Sequence, residues 1–378
     1  MSAFLQKLSL CTQDRANAPT VAIKDSIDIA GYPTTAASRA LAEVPPAEQH
    51  AEVVQRLLDA GWRITGKTNM HELAFGMTGI NDFCGTPPNP QDVARIPGGS
   101  SSGSASAVGQ GLVDAALGTD TGGSIRCPAA CCGVIGLKPT FGRVSRQGVA
   151  PHATTLDCVG PFARDVDTIV GVMMAIDSSF QAGKARGDVS NARVGIVTVD
   201  ADEDIASAVT AAIRRAGFVS RNIELPSMRD AFSAGLAVIN VETWRAFGHL
   251  VELGKLGADI ESRLRAAANT TVDELGIAER VRRTFTDEVD RALEAVDVLL
   301  LPTLPSLPIT IQAARTGTSV IGMSSLIRPF NLSGHPALTI PVPVEGSAMK
   351  AGLQIVGRKG DDEMICAVAA HVEASLAE

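Results

Sequence analysis

Residues 19–31, PTVAIKDSIDIAG, alternate between apolar and polar positions, which predicts a strand, a turn and a second strand. In residues 50–60, HAEVVQRLLDA, Val53, Val54, Leu57 and Leu58 recur at helical spacing, with Gly61 placed to end the helix. Residues 62–65, WRIT, read as a strand, and 71–81 as a short helix breaking into a glycine-bearing loop. Further on the pattern predicts a helix near 165–176, a buried strand at 192–200, an amphipathic helix over 203–216 and a short strand at 223–226. From about 227 to 295 it is helical and rich in charge. Buried strands follow at 297–302, within 328–344 and at 352–358, before a terminal helix over 361–376. Strands that are apolar throughout and alternate with helices imply an α/β protein. The expectation is one compact domain whose central sheet is covered by helices on both faces.

Composition narrows the function classes. The chain has 378 residues and a formal charge of −8, with 45% hydrophobic and 20% charged residues. This is a globular composition. An acidic balance gives no basic patch for nucleic acid or an anionic membrane, so neither is expected as a partner. No apolar run approaches the roughly 18 residues of a membrane span, and the N-terminus has no signal-peptide pattern, so a cytoplasmic location is expected. The seven cysteines form no CxxC pair, and Cys131 and Cys132 are adjacent, which suits packed free thiols.

The stretch Ile96–Gly142 carries the candidate chemistry. Two glycine–serine turns, Gly98–Ser104 and Gly122–Ser124, flank an Ala/Val/Leu-rich segment. Glycine beside serine leaves backbone N–H groups exposed near a hydroxyl, and acyl transfer needs both a nucleophile and an oxyanion hole. A base must come from elsewhere. Lys24 follows the apolar residues Val21, Ala22 and Ile23. By itself this fragment fits either a snorkelling edge-strand lysine or a buried one of lowered pKa. Residues 61–68, GWRITGKT, satisfy the phosphate-binding pattern GxxxxGK[ST], but a helix precedes the first glycine and a strand fills the gap. That context is inverted for a P-loop, so these glycines are read as turns. His71 is the imidazole nearest this region and reads as structural before catalytic.

The run GGSSSGSASAVGQGLVDAALGTDTGGSIRCPAACCGVIGLKPTFGRVS resembles the signature of the amidase signature family. The resemblance continues in order through VAIKDSIDIAG, ITGKTNMHELAFG, TLDCVGPFARDVDT, DVLLLPTLP and FNLSGHPALTIPVP. It implies a single amidase-signature domain over 1–378, with a core of 19–176 and 297–378 and a variable, helix-rich, substrate-facing insertion at about 177–295. It also implies a mixed central sheet and a Ser–Ser–Lys triad. By position Ser124 would be the nucleophile, Ser100 the bridging serine after a cis peptide, and Lys24 the base. Backbone N–H groups of Thr121, Gly122, Gly123 and Ser124 would hold the oxyanion. No cofactor and no metal are implied. Asp120 and Arg126 would be scaffold for the loop, Arg126 being also the residue that could draw a substrate carboxylate. Cys127, Cys131 and Cys132 lie close to Ser124, but no paired histidine supports a cysteine hydrolase.

Two departures shape the functional expectation. Lys24 arrives after only 23 residues, where many relatives carry a longer helical segment, and the insertion is short. The sequence is therefore read as a free-standing amidase that cleaves the C–N bond of a small carboxamide or urea-like compound through a Ser124 acyl-enzyme and releases ammonia. Its partner would be that small amide or ureide, with room for a homodimer or a small accessory subunit. The alternative is the glutamine-hydrolysing A subunit of a tRNA-dependent amidotransferase complex.

Overall fold

The computed structural model describes residues 2–12 and 17–377. Eleven strands form one sheet: β1 (Phe4–Leu10), β2 (Thr20–Lys24), β3 (Arg63–Thr68), β4 (Ala115–Asp120), β5 (Ile135–Lys138), β6 (Cys158–Ala163), β7 (Arg193–Val197), β8 (Val219–Ile223), β9 (Val298–Pro302), β10 (Ala337–Pro343) and β11 (Lys350–Val356). Their spatial order is β1-β3-β2-β4-β6-β5-β10-β11-β9-β7-β8. β2 is parallel to β3 and β4, and β7 to β8 and β9, while the middle of the sheet is antiparallel. The sheet is therefore mixed, as expected.

Among the described residues twelve α-helices cover it: α1 (Glu52–Asp59), α2 (Ser102–Gly109), α3 (Arg126–Cys132), α4 (Val166–Ile176), α5 (Ala182–Ala185), α6 (Glu203–Ala216), α7 (Met228–Phe247), α8 (Ala258–Ala267), α9 (Val272–Ala295), α10 (Ile311–Arg315), α11 (Arg328–Leu332) and α12 (Asp362–Ala377). Alternation along the strands sorts them between two faces. Val21, Ile23, Leu117 and Leu300 pack with α1, α4, α6 and α12. Ala22 and Ala116 pack with α2 and α3 on the other face, and Leu299 and Leu301 with α7 and α9. Lys24 and Asp120 follow the phase of Ala22 and Ala116, so the pleat sends both toward the α2–α3 side.

Several segments depart from the expected pattern. Residues 27–31 form no second strand and contribute one bridge, Ile27 to Val149. The N-terminal segment, to which the pattern assigned nothing, pairs as edge strand β1 against β3. β6 carries Gly160 and Pro161 within the ladder, residues that weaken a strand signature although all six positions are buried. Within 177–295, β7 falls inside the strand expected at 192–200, whereas β8 lies earlier than the strand expected at 223–226, and both extend the central sheet beyond β9. Among the described residues no helix is long and apolar enough to cross a membrane.

Candidate active site

Lys24 ends β2, beside the parallel strand β4, and is fully buried. Its Nζ lies 2.8 Å from Ser100 Oγ and 2.7 Å from Thr119 Oγ1, with Thr119 O at 3.5 Å. A neutral amine has two N–H donors and one lone pair. The two oxygens of Thr119 can take the donors, which leaves the lone pair for the Ser100 hydroxyl. Burial pulls the Lys24 pKa from 10.5 down to about 7, against the opposing charges of Asp157 and Asp120. Ser100 follows a cis Gly99–Ser100 peptide bond, and its carbonyl accepts from the His71 backbone N–H at 3.0 Å.

The second turn is organised by Asp120 at the end of β4. Its carboxylate accepts from the N–H groups of Gly123 (2.7 Å), Ile125 (3.1 Å) and Arg126 (3.3 Å), and from the Asn331 amide at 2.7 Å. Burial alone would raise this carboxyl, but the charge and hydrogen bonds of Arg126, with help from Asn331, hold it well below the ordinary carboxylate range. Ser124 is 4% exposed, and its hydroxyl makes no hydrogen bond to another described residue. Its carbonyl accepts from Ser101 N–H at 3.2 Å, which ties the two glycine–serine turns together.

The expected oxyanion donors need one correction. The Gly123 N–H already serves Asp120, so the free donors of the turn are Thr121, Gly122 and Ser124. Gly123 is required for its shape. Its φ is +114°, and a Cβ there would come within 2.1 Å of Ile327 Cδ1. Gly123→Ala is therefore expected to lower stability by about 1–3 kcal/mol from overpacking, and to lose more than about 10²-fold in turnover as the turn shifts. Thermal unfolding together with ammonia release checks both, and a variant with wild-type values in each would refute the close fit.

Arg126 is scaffold. It is fully buried, and its side chain donates to Asp120, Asn331 Oδ1, Gln354 Oε1 and the Ile327 carbonyl, which leaves no donor for a substrate carboxylate. Lys67 pairs with Asp25 at 2.8 Å and donates to Pro33 O and Thr34 from within β3, so the GxxxxGKT match is no phosphate loop. His71 Nδ1 lies 3.4 Å from Thr78 Oγ1 and its Nε2 3.5 Å from Asp259. A cleft of about 800 Å³ opens beside this histidine, walled in part by Glu72, Thr78, Asp259 and Arg263, and Lys24, Ser100 and Ser124 do not line it. Cys127, Cys131 and Cys132 are buried free thiols. A hydrogen bond that the Cys131 thiol donates to Cys127, together with burial, raises Cys131, and burial raises Cys132, so both stay protonated.

The residues missed from sequence are those that hold the others. Thr119 seats Lys24, while Asn331 and Gln354 arrive from the far end of the chain. Asp157 accepts from Thr121 Oγ1 at 2.9 Å and pairs with Arg146. A threonine inside a buried strand and amides 205 and 228 positions from Arg126 carry no local signal.

A sheet of this order, with a buried lysine against a serine and a glycine turn below a second serine, is an amidase-type hydrolase scaffold. The family model described as Amidase matches residues 20–366, and the chain belongs to that family, the amidase-signature enzymes that act on C–N bonds. It is 36% identical over 394 residues to the A subunit of glutamyl-tRNA(Gln) amidotransferase from Methanospirillum hungatei, covering 92% of this chain and 90% of that protein. The crystal structure of the A subunit of glutamyl-tRNA(Gln) amidotransferase from Thermotoga maritima superposes with a TM-score of 0.83 at 29% identity, covering 98% of this chain and 87% of that one. A chain from a vestigial protein complex tied to the origins of an s-triazine catabolic enzyme superposes with a TM-score of 0.86 at 30% identity, covering 94% of this chain and 83% of that one.

These relatives overturn two expectations. The reading as a free-standing amidase of small carboxamides gives way, because the curated relatives are amidotransferase A subunits, two of them matched over 90% and 99% of their length. The expectation of a small-molecule partner alone, without nucleic acid, falls with it. The acidic charge balance does not exclude such partners, because it describes one polypeptide and not the surfaces that other subunits supply in complexes like those of the relatives.

Proposed function

We propose that the chain is the glutamine-hydrolysing A subunit of a tRNA-dependent amidotransferase, working with partner subunits that receive the ammonia. The observation that carries this reading is the match to the A subunits of such enzymes over more than nine-tenths of the chain, together with the Lys24–Ser100 contact. Residues 1–378 act as one amidase-signature domain with a core of 19–176 and 297–378. The insertion at about 177–295 faces the substrate, and its Ile239 on α7 already lies over Gly122.

Ser124 is the nucleophile, Ser100 the bridge and Lys24 the base. Neutral Lys24 takes the Ser100 proton as Ser100 takes that of Ser124, and Ser124 Oγ bonds to the side-chain amide carbon of glutamine. The oxyanion is received by N–H groups of Thr121, Gly122 and Ser124. The proton returns through Ser100 to the amide nitrogen, the C–N bond breaks, and ammonia leaves. Water then cleaves the acyl-enzyme to glutamate by the same relay.

The test uses L-glutamine with the purified chain, alone and coexpressed with the remaining subunits of such a complex. Expected are glutamate and ammonia in equal amounts, and amide formation on glutamyl-tRNA(Gln) when the subunits are joined. Absence of glutamate under both conditions would overturn the reading.

A further inference from the structure

Arg328, at the head of α11, is 6% exposed and built into a seat. Its stem passes Gly235 of α7, where a Cβ would come within 2.9 Å of Arg328 Cγ. The guanidinium lies 4.3 Å over the Phe232 ring. Nη1 donates to the Phe232 carbonyl at 3.3 Å and Nη2 to Ser324 Oγ at 2.7 Å. Nε is sealed from solvent and has no hydrogen-bond partner among the described residues. No Asp or Glu of the described residues pairs with this cation, unlike the fully buried Arg126, which lies against Asp120. Burial draws the Arg328 pKa down to about 10, so the group is still cationic at neutral pH.

A buried cation without a counter-charge is costly unless an anion joins it. The place where one would arrive is marked by Gly122. A Cβ on that glycine would stand 3.7 Å from Arg328 Nε, two residues before Ser124 in the turn that receives the substrate carbonyl. Ile239 Cδ1 borders the same point at 2.8 Å and, as the flexible end of a half-buried side chain, can give way by a rotamer change.

We propose that Arg328 sets specificity by pairing with a carboxylate on the acyl portion of the amide substrate. Resting on the reading above, that group is the α-carboxylate of glutamine. The seat fixes the guanidinium from α7 and from Ser324, so its Nε edge is the side left for the ligand.

The test compares kcat/KM for three amides: L-glutamine, glutaric acid monoamide (carboxylate without ammonium) and butyramide (neither charge). The wild-type protein is expected to prefer both carboxylate-bearing amides to butyramide. Arg328→Gln should shrink that preference by about 10²-fold, mainly through KM, the size expected when a buried charged hydrogen bond is lost. Arg328→Lys, which keeps the charge, should restore part of it. If Arg328→Gln gives no cooperative thermal melt, Arg328→Lys carries the test with a loss of preference of about tenfold. An equal fall for all three amides would overturn the proposal, since a purely structural role has no reason to spare the neutral amide. Turnover of glutaric acid monoamide but not of glutamine, with an Arg328-dependent preference, would support Arg328 and remove the glutaminase reading. Glutamine turnover with a preference indifferent to Arg328 would do the reverse.

Discussion

Ser124→Ala is expected to lower amide turnover by at least about 10⁴-fold, because without the hydroxyl no acyl-enzyme forms and the rest of the relay has nothing to activate. The fold should tolerate it. The Ser124 hydroxyl makes no hydrogen bond to another described residue, and alanine fits the same backbone. Asp120 would still hold the N–H groups of Gly123, Ile125 and Arg126, so the turn keeps its shape. Ammonia release and thermal unfolding are the two measurements. A variant that still releases ammonia near the wild-type rate would remove Ser124 from the reaction.

Lys24→Met should cost about 10²–10⁴-fold in kcat/KM at neutral pH, the usual range for loss of a positioned base. The wild-type pH profile gives an independent check. Burial draws the Lys24 pKa down to about 7, and a lysine that accepts a proton must be neutral, so under the proposed role kcat/KM is expected to be low below that value and to rise as pH passes through it. The variant should lose this rise and recover only toward alkaline pH, where hydroxide substitutes for the amine. Asp157 favours the protonated form of Lys24, so Asp157→Asn should move the wild-type rise to lower pH. A profile flat across pH 6–8 in the wild-type protein would separate Lys24 from the proton transfer.

Much of the scaffold was readable from residue patterns because the helices are amphipathic and their apolar stripes are long. α4 and α6 fall within a residue of the periodic segments at 165–176 and 203–216. The strands around the site were harder. β4 reads AALGTD and β6 reads CVGPFA, small or irregular residues that pack where glycine turns and helices approach closely. Such strands gain their stability from neighbours in the sheet, and a one-dimensional pattern does not contain those neighbours. The same division runs through the site. Lys24, Ser100 and Ser124 stand in recognisable blocks, and the structure brings Lys24 against Ser100. Thr119, Asn331, Gln354 and Arg328 matter through distances alone. The reading as a free-standing amidase failed for a related reason: it rested on length and charge, which describe one polypeptide and do not report whether it assembles with others.

The network under Ser124 also dictates when in its life this polypeptide becomes dangerous to amides. Arg126 is locked by Ile327, Asn331 and Gln354, residues that leave the ribosome some two hundred positions after it. A nascent or prematurely terminated chain can carry the whole glycine–serine stretch and still lack the clamps that set the turn. A product that ends before residue 327 lacks all three of these partners of Arg126, and with them it is expected to lack the amide cleavage proposed for Ser124.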